Sequence, residues 1–284
     1  MSHITKISFP GLGIGEFEVN SEAFSIFGVS IAWYALIITF GMILCVLYIM
    51  YRAKNIGIIP DEILDYALFV IPIGIIGARL YYVLSELDSY NSIGEVFDIR
   101  SGGLAIYGGI IAGALTVLVI SKIKKIYFPA LADCVVPGLI LAQAIGRWGN
   151  FMNGEAYGYE TDIFCRMGLD FGYGMSYYHP TFLYESLWNI VGFILINIFY
   201  KHKKYDGQIF LMVFGWYGLG RMLIEGLRTD SLTFSLFGAT LRTSQVLAGA
   251  IFAVCAVLLI YFAFKRPNKP FYYRTKVKNT KKDK

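Results

Sequence analysis

The chain has 284 residues, of which 56% are hydrophobic and 16% charged, with a mean hydropathy of +0.57. A soluble domain carries about a quarter charged residues, so this composition excludes an ordinary soluble globule. The net charge of +5 comes with no nucleic-acid-binding motif, which argues against that class of partner.

Residues 1–22 hold Glu16, Glu18 and Glu22 but no basic stretch feeding an apolar segment. No signal peptide is expected, and the first span serves as its own insertion signal. Residues 23–51, 101–121 and 243–264 contain no Asp, Glu, Lys or Arg. Each is long enough to cross a bilayer, which needs roughly 20 apolar residues. Four more spans are predicted with one or two charges each: 63–85 (Asp65, Arg79), 126–146 (Asp133), 181–200 (Glu185) and 207–225 (Arg221, Glu225). The predicted fold class is an all-α membrane protein of about seven transmembrane helices. A single membrane domain covers 1–264, and a basic tail covers 265–284. The stretch 147–180 is rich in Gly, Tyr and Phe and predicts a packed head against which residues 1–22 can fold.

Fourteen of the fifteen lysines lie after spans one, three and five (Lys54; Lys122, Lys124, Lys125; Lys201, Lys203, Lys204) or in the tail; Lys6 is the exception. Basic loops stay in the cytoplasm, so the N-terminus is expected outside and the C-terminus inside. Arg52, Arg266 and Arg274 share the cytoplasmic side. Arg79, Arg100, Arg147, Arg166, Arg221, Arg228 and Arg242 fall toward the outside. Snorkelling to headgroups accounts for Arg100, Arg166 and Arg242 but less well for Arg147 and Arg221, which have polar neighbours at motif or helical spacing. Cys45, Cys134, Cys165 and Cys255 form no CxxC pair and imply no disulfide framework. His3, His179 and His202 are too scattered to predict a zinc site.

Residues 146–158, GRWGNFMNGEAYG, carry the strongest local signal. They gather Arg147, Asn150, Asn153 and Glu155 among four glycines at a span end. Polar groups at membrane depth are costly and usually functional. Glycines let the backbone approach a ligand closely, and an arginine fork suits a phosphate. A second constellation is Tyr217, Arg221, Glu225 and Arg228, whose offsets of 4, 8 and 11 put them on one helix face. An Arg–Glu pair at this spacing is also compatible with a purely structural role. Gly215, Gly218 and Gly220 read as close helix packing. GGLAIYGG at 102–109, before Gly113, reads as broken helix lining a cavity.

GRWGNFMNGEAYG resembles the signature of the bacterial prolipoprotein diacylglyceryl transferases. Further segments occur in that family's order across residues 30–230. They are WYALIITFG with Tyr34, GARLYYVL with Arg79, GGLAIYGG with Tyr107, HPTFLYES with His179, and YGLGRMLIEGLR with Tyr217, Arg221 and Glu225. The resemblance implies transfer of diacylglyceryl from phosphatidylglycerol to the lipobox cysteine of a prolipoprotein still joined to its signal peptide. A thioether forms and glycerol phosphate leaves. It implies a multi-pass protein of the bacterial cytoplasmic membrane, an active site toward the extracytoplasmic side, and neither cofactor nor metal.

On the resemblance, Arg147 and Arg221 stabilise the phosphate and Tyr107 joins them in catalysis. Tyr34, Arg79, Asn150, Asn153, Glu155, Gly158, His179, Tyr217 and Glu225 bind substrate. Many members carry histidine where this chain has Tyr107. A phenol of pKa about 10 stays protonated at neutral pH, so here it suits hydrogen-bond donation rather than proton abstraction. The thiol would then ionise through the electropositive site. From the residues alone two other classes stay open. A transporter would show a midplane site and repeats, neither of which the pattern suggests. A lipid-binding protein would need the arginines but no acceptor thiol.

Overall fold

Apolar runs of this length satisfy their own backbone hydrogen bonds only as helices when water is absent. In the computed structural model, which describes residues 4–87, 90, 92–98, 102–229, 233–236, 239–265 and 271–273, they are helical. His3, Arg100, Arg266, Arg274 and most of the basic tail lie outside the described residues. Among the described residues six helices are long and apolar enough to cross a membrane: α1 (Trp33–Ala53, with a 3-10 turn to Ile56), α2 (Pro60–Ser85), α4 (Ile106–Ile123), α5 (Phe128–Met152), α6 (Thr181–Phe199, with a 3-10 turn to His202) and α8 (Thr243–Phe264). The chain is a multi-pass membrane protein. α7 (Gln208–Glu225) has 18 residues but carries Gln208, Arg221 and Glu225, and it is not among the six. A short α3 (Ile93–Phe97) lies between α2 and α4.

Three predicted limits differ from the structure. Residues 23–32 are not helical. They fall in the hairpin β3 (Glu22–Ile26) and β4 (Val29–Ala32), turned at Phe27 (φ 50°) and Gly28 (φ 79°). Two successive left-handed residues make a tight hairpin turn, which absence of charge cannot reveal. The third span starts at Ile106 instead of 101, because Gly102 (φ 93°) and Gly103 (φ 75°) hold a non-helical entry. α5 runs on to Met152, past the expected end at 146, so Arg147 and Asn150 stand on its last turns.

The chain divides into two compact units. The first comprises Met1–Leu47 and Ala132–Phe271. Its head is a four-stranded sheet in the order β2 (Ile14–Asn20), β1 (Ile4–Phe9), β5 (Met167–Asp170), β6 (Met175–Tyr178), so the N-terminal segment pairs with the stretch after α5. Ile7, Val19, Met167, Leu169 and Phe182 form the head's core. Below it α5 packs on α6 and α7 through Val136, Ile140, Ile196, Ile209 and Val213. Two tryptophans lock α6 to α7. Trp188 and Trp216 stack at 4.4 Å, and each indole N–H donates to the other's carbonyl at 3.0 Å. At the end away from the head, Asp133 accepts from the backbone of Gly207 and Phe210, both at 2.8 Å, and pairs with Lys203 at 3.1 Å. A residue of α5 thus caps the start of α7. Ahead of α8 lies a further hairpin, β7 (Thr233–Leu236) and β8 (Ala239–Arg242).

The second unit comprises Tyr48–Leu131 and Tyr272–Lys284. α2 and α4 meet along a small-residue seam. A Cβ on Gly77 would lie 2.3 Å from that of Ala112, and one on Gly108 would lie 2.3 Å from the Gly77 carbonyl. Gly108 and Gly109 therefore serve helix packing within α4, and the helix is unbroken there.

Candidate anion-binding site

The site grows from the ends of α5, α6 and α7. Gly146 and Gly149 do not stop α5. It ends where Gly154 (φ 63°) and Ala156 (φ 58°) reverse the chain, and Thr181 fastens that turn by donating to the Ala156 carbonyl. Arg147 thereby projects from the last turns of α5, Glu185 from the first turns of α6, and Arg221 and Glu225 from the end of α7.

Glu185 is the hub. Its Oε2 lies 2.5 Å from Arg147 Nη2. Its Oε1 lies 2.9 Å from Arg221 Nη1 and 3.0 Å from Arg228 Nη1. Arg221 Nη2 reaches Glu225 Oε2 at 2.6 Å. Arg242 donates to the Glu225 carbonyl and, at 2.8 Å, to the Tyr159 hydroxyl. Glu185 and Glu225 are almost completely buried, whereas the Arg147 side chain remains 22% exposed and Arg221 16%. Among the described residues the ion pairs of this cluster set three guanidinium groups, those of Arg147, Arg221 and Arg228, against the two carboxylates of Glu185 and Glu225, one positive charge in excess. A partly open cluster with surplus cation is suited to an anion. Its arginines are held by carboxylates instead of floating, which preorganises them.

The motif polar groups join from one side. Arg147 Nη1 donates to Asn150 Oδ1 at 3.4 Å. Asn150 Nδ2 donates to Glu155 Oε1 at 2.9 Å, and Asn153 Nδ2 to the same oxygen at 3.2 Å. Tyr34 of α1 lays its ring on Gly149, where a Cβ would sit 2.8 Å from Cδ2. Tyr217 stands half-buried on α7, one turn before Arg221. The expected Arg147, Arg221, Asn150, Asn153, Glu155, Tyr34, Tyr217 and Glu225 are all in this unit, and hydrogen bonds or ion pairs link most of them.

The remaining expected residues have other surroundings. Gly158 is a crossing point of backbones: it pairs with Arg228, donates to the His179 carbonyl at 2.9 Å, and a Cβ would come within 2.5 Å of the Leu227 carbonyl. The His179 ring faces the Tyr184 hydroxyl at 3.3 Å, and Tyr184 in turn faces the Cys165 thiol at 3.4 Å. Burial pushes the His179 pKa below its ordinary 6.5, so the ring is neutral at pH 7. Arg79 and Tyr107 belong to the other unit. Arg79 is buried and donates to four carbonyls, those of Glu95 (2.6 Å), Val96 (2.9 Å), Gly102 (2.7 Å) and Gly103 (3.0 Å). Tyr107 lies on the first turn of α4, 39% exposed.

Sequence reading missed Glu185 as a site residue. The available signal was an acid inside a predicted span, three residues after Phe182 in HPTFLYES. The sequence spacing puts Arg228 on one helix face with Arg221. α7 instead ends at Glu225, and Arg228 returns to Glu185 from the following turn.

Fold and site together define a multi-pass membrane protein with a buried arginine–glutamate cluster at one end of its helices. The family described as prolipoprotein diacylglyceryl transferase matches residues 21–261. Relatives named phosphatidylglycerol–prolipoprotein diacylglyceryl transferase include one from Listeria innocua, 42% identical over 96% of this chain and 100% of the relative. Another, from Clostridioides difficile, is 43% identical over 88% of this chain and 98% of the relative. A third, from Streptococcus pneumoniae, is 45% identical over 88% and 95%. The chain belongs to the prolipoprotein diacylglyceryl transferase family and is a transferase.

Proposed function

We propose that this chain takes the diacylglyceryl group from phosphatidylglycerol and joins it to the lipobox cysteine thiol of a prolipoprotein, the first step of bacterial lipoprotein maturation. The observation that carries this reading is the partly open cluster of Arg147, Arg221 and Arg228 on Glu185 and Glu225, with its surplus positive charge.

The thiolate sulfur attacks the glycerol carbon that bears the phosphate. A C–S bond forms, the C–O bond breaks, and its electron pair leaves with glycerol phosphate. The proton lost by the thiol ends in the medium or on the product phosphate. Charge grows on the phosphate oxygens as the bond breaks, and fixed cations aimed there lower the barrier. Arg147 and Arg221 supply those cations from the exposed parts of their side chains. Asn150 couples Arg147 to Glu155, and these with Asn153 form the polar rim that recognises the glycerol head. The same field lowers the pKa of the incoming thiol. Tyr107 acts as a hydrogen-bond donor and not as a base, and Arg79 acts by holding the backbone of Glu95, Val96, Gly102 and Gly103 ahead of α4. Tyr34, Tyr217 and Glu225 shape the cluster, while Gly158 and His179 shape the head beside it.

α7 is the seventh span. At about 1.5 Å per residue it is about 27 Å long. It runs antiparallel to α6 along their shared tryptophan lock, from the Lys203 end to the Glu185 end. Because α6 and α8 both run toward lysines, the chain must cross between them. The N-terminus then lies outside, the basic tail from 265 to 284 inside, and the arginine cluster faces the extracytoplasmic side of the bacterial cytoplasmic membrane.

The test is to incubate the purified protein with phosphatidylglycerol vesicles and a lipobox peptide, and to follow the peptide by mass spectrometry. The expected product carries one diacylglyceryl group, and a cysteine-to-serine peptide stays unmodified. An unmodified cysteine peptide with correctly inserted protein rejects the reading.

A further inference from the structure

Beside the arginine cluster the first unit holds an apolar groove of about 390 Å³. Two stripes of identical spacing make its walls: Leu36, Ile37 and Phe40 follow Trp33 on α1, and Leu141, Ala144 and Ile145 precede Trp148 on α5. Each stripe runs i, i+3, i+4, i+7, so each presents one helix face. The outer end lies at Trp33 and Trp148, and Trp148 is the neighbour of Arg147 in sequence. α1 and α5 come into contact at Gly41, whose Cβ would stand 3.3 Å from the Ala142 carbonyl and 3.5 Å from the Ile145 side chain. Ser186 is the polar residue of the lining, and its hydroxyl is already engaged. It donates to the Ala144 carbonyl at 2.9 Å and accepts from Trp148 Nε1 at 3.2 Å. The lining offers water few partners, so the groove suits hydrocarbon.

We propose that this groove holds one acyl chain of the phosphatidylglycerol donor and that the room it offers sets the chain length accepted. The proposal rests on the donor assigned above. Continuity selects the occupant: the groove starts beside Ser186 and Trp148, next to Glu185 and Arg147, so a lipid whose phosphate meets the arginines has its tails at the groove mouth. Size excludes the signal peptide. A helix 10–12 Å across rising 1.5 Å per residue would fit only about three residues in this volume, against an apolar segment of about 7–15. Trp33, Phe40 and Trp148 are exposed along the rim, which gives a chain lateral entry from the bilayer.

The experiment compares transfer to a lipobox peptide from vesicles of dimyristoyl and of distearoyl phosphatidylglycerol. Leu36→Trp and Leu141→Trp fill the groove, and Phe40→Ala deepens it. Ile198→Trp, on an exposed part of α6 away from the groove, is the control. The filled variants should keep their rate on the short donor and lose about fourfold on the long donor for each methylene excluded. Phe40→Ala should move the ratio toward the long donor, and the control should match the unaltered protein. A long-to-short ratio unchanged in both the filled and the deepened variants overturns the proposal and leaves the groove in contact with bulk lipid only. If a filled variant is inactive on both donors, the Phe40→Ala ratio decides. Failure of the unaltered protein to transfer from either donor overturns the donor assignment itself, and this inference with it.

Discussion

Glu185 organises the site although it carries no charge a phosphate would seek. It touches Arg147, Arg221 and Arg228 at 2.5–3.0 Å, and a buried carboxylate with such partners holds guanidinium planes that would otherwise repel one another. Tyr107 poses the opposite problem: its chemistry is weak, yet the proposed mechanism needs a donor there. Tyr107→Phe should lower the transfer rate about ten- to hundredfold, the effect of losing one charge-assisted hydrogen bond of roughly 1.5–3 kcal/mol in the transition state. Tyr107→His should remain active. The check is kcat against pH for the three forms. Abolished transfer in the Phe form, with a pH profile moved by the His form, would make residue 107 the base. At this scale the sequence was legible wherever a motif packs its residues into one turn, as with Arg147, Asn150, Asn153 and Glu155. It was not legible for Glu185, because its partners come from α5 and α7 and from the turn after α7, and no spacing along one helix encodes a contact among three elements.

The elements show which local signals suffice. α6, α7 and α8 begin and end within a residue or two of the predicted limits, because basic loops or buried acids bracket them. The hairpin at residues 22–32 escaped a reading based on lack of charge, since a strand pair of Phe, Ile, Val and Ser is as uncharged as a helix. The α2–α4 seam escaped in part for another reason: small residues mark both packing and broken helix, and only the partner helix distinguishes them. That seam makes a sharp expectation. Gly108→Leu would drive a side chain into the Gly77 backbone, and overpacking of this kind costs typically about 1–3 kcal/mol. Thermal unfolding of the detergent-purified protein should start at a clearly lower temperature. Gly74→Ala should be close to neutral, because a Cβ there stands at an ordinary 3.7 Å from the Gly109 carbonyl. Equal melting of the Gly108 variant and the parent would remove the seam as a stability element.

Across the whole molecule, lysines and arginines separate by function. In the first unit Lys203 works with Asp133 and Asp206 at one end of the helices, and Arg147, Arg221, Arg228 and Arg242 gather at the other. Lysine, a compact hydrated charge, gathers at the end proposed to be cytoplasmic, whereas arginine's planar fork builds the proposed site. Cysteines introduced at 201–204 should therefore react with a membrane-impermeant reagent only after the membrane is opened; labelling in sealed cells would reverse the topology. The central claim is that the arginine end carries the chemistry, and single-turnover release of glycerol phosphate tests it most directly. Arg147→Ala and Arg221→Ala, inserted normally and still binding vesicle lipid, should each lose about a hundred- to thousandfold or more, and the Lys forms should recover little because one ammonium cannot replace a bidentate fork. Release at the parent rate from either Ala variant would contradict the account.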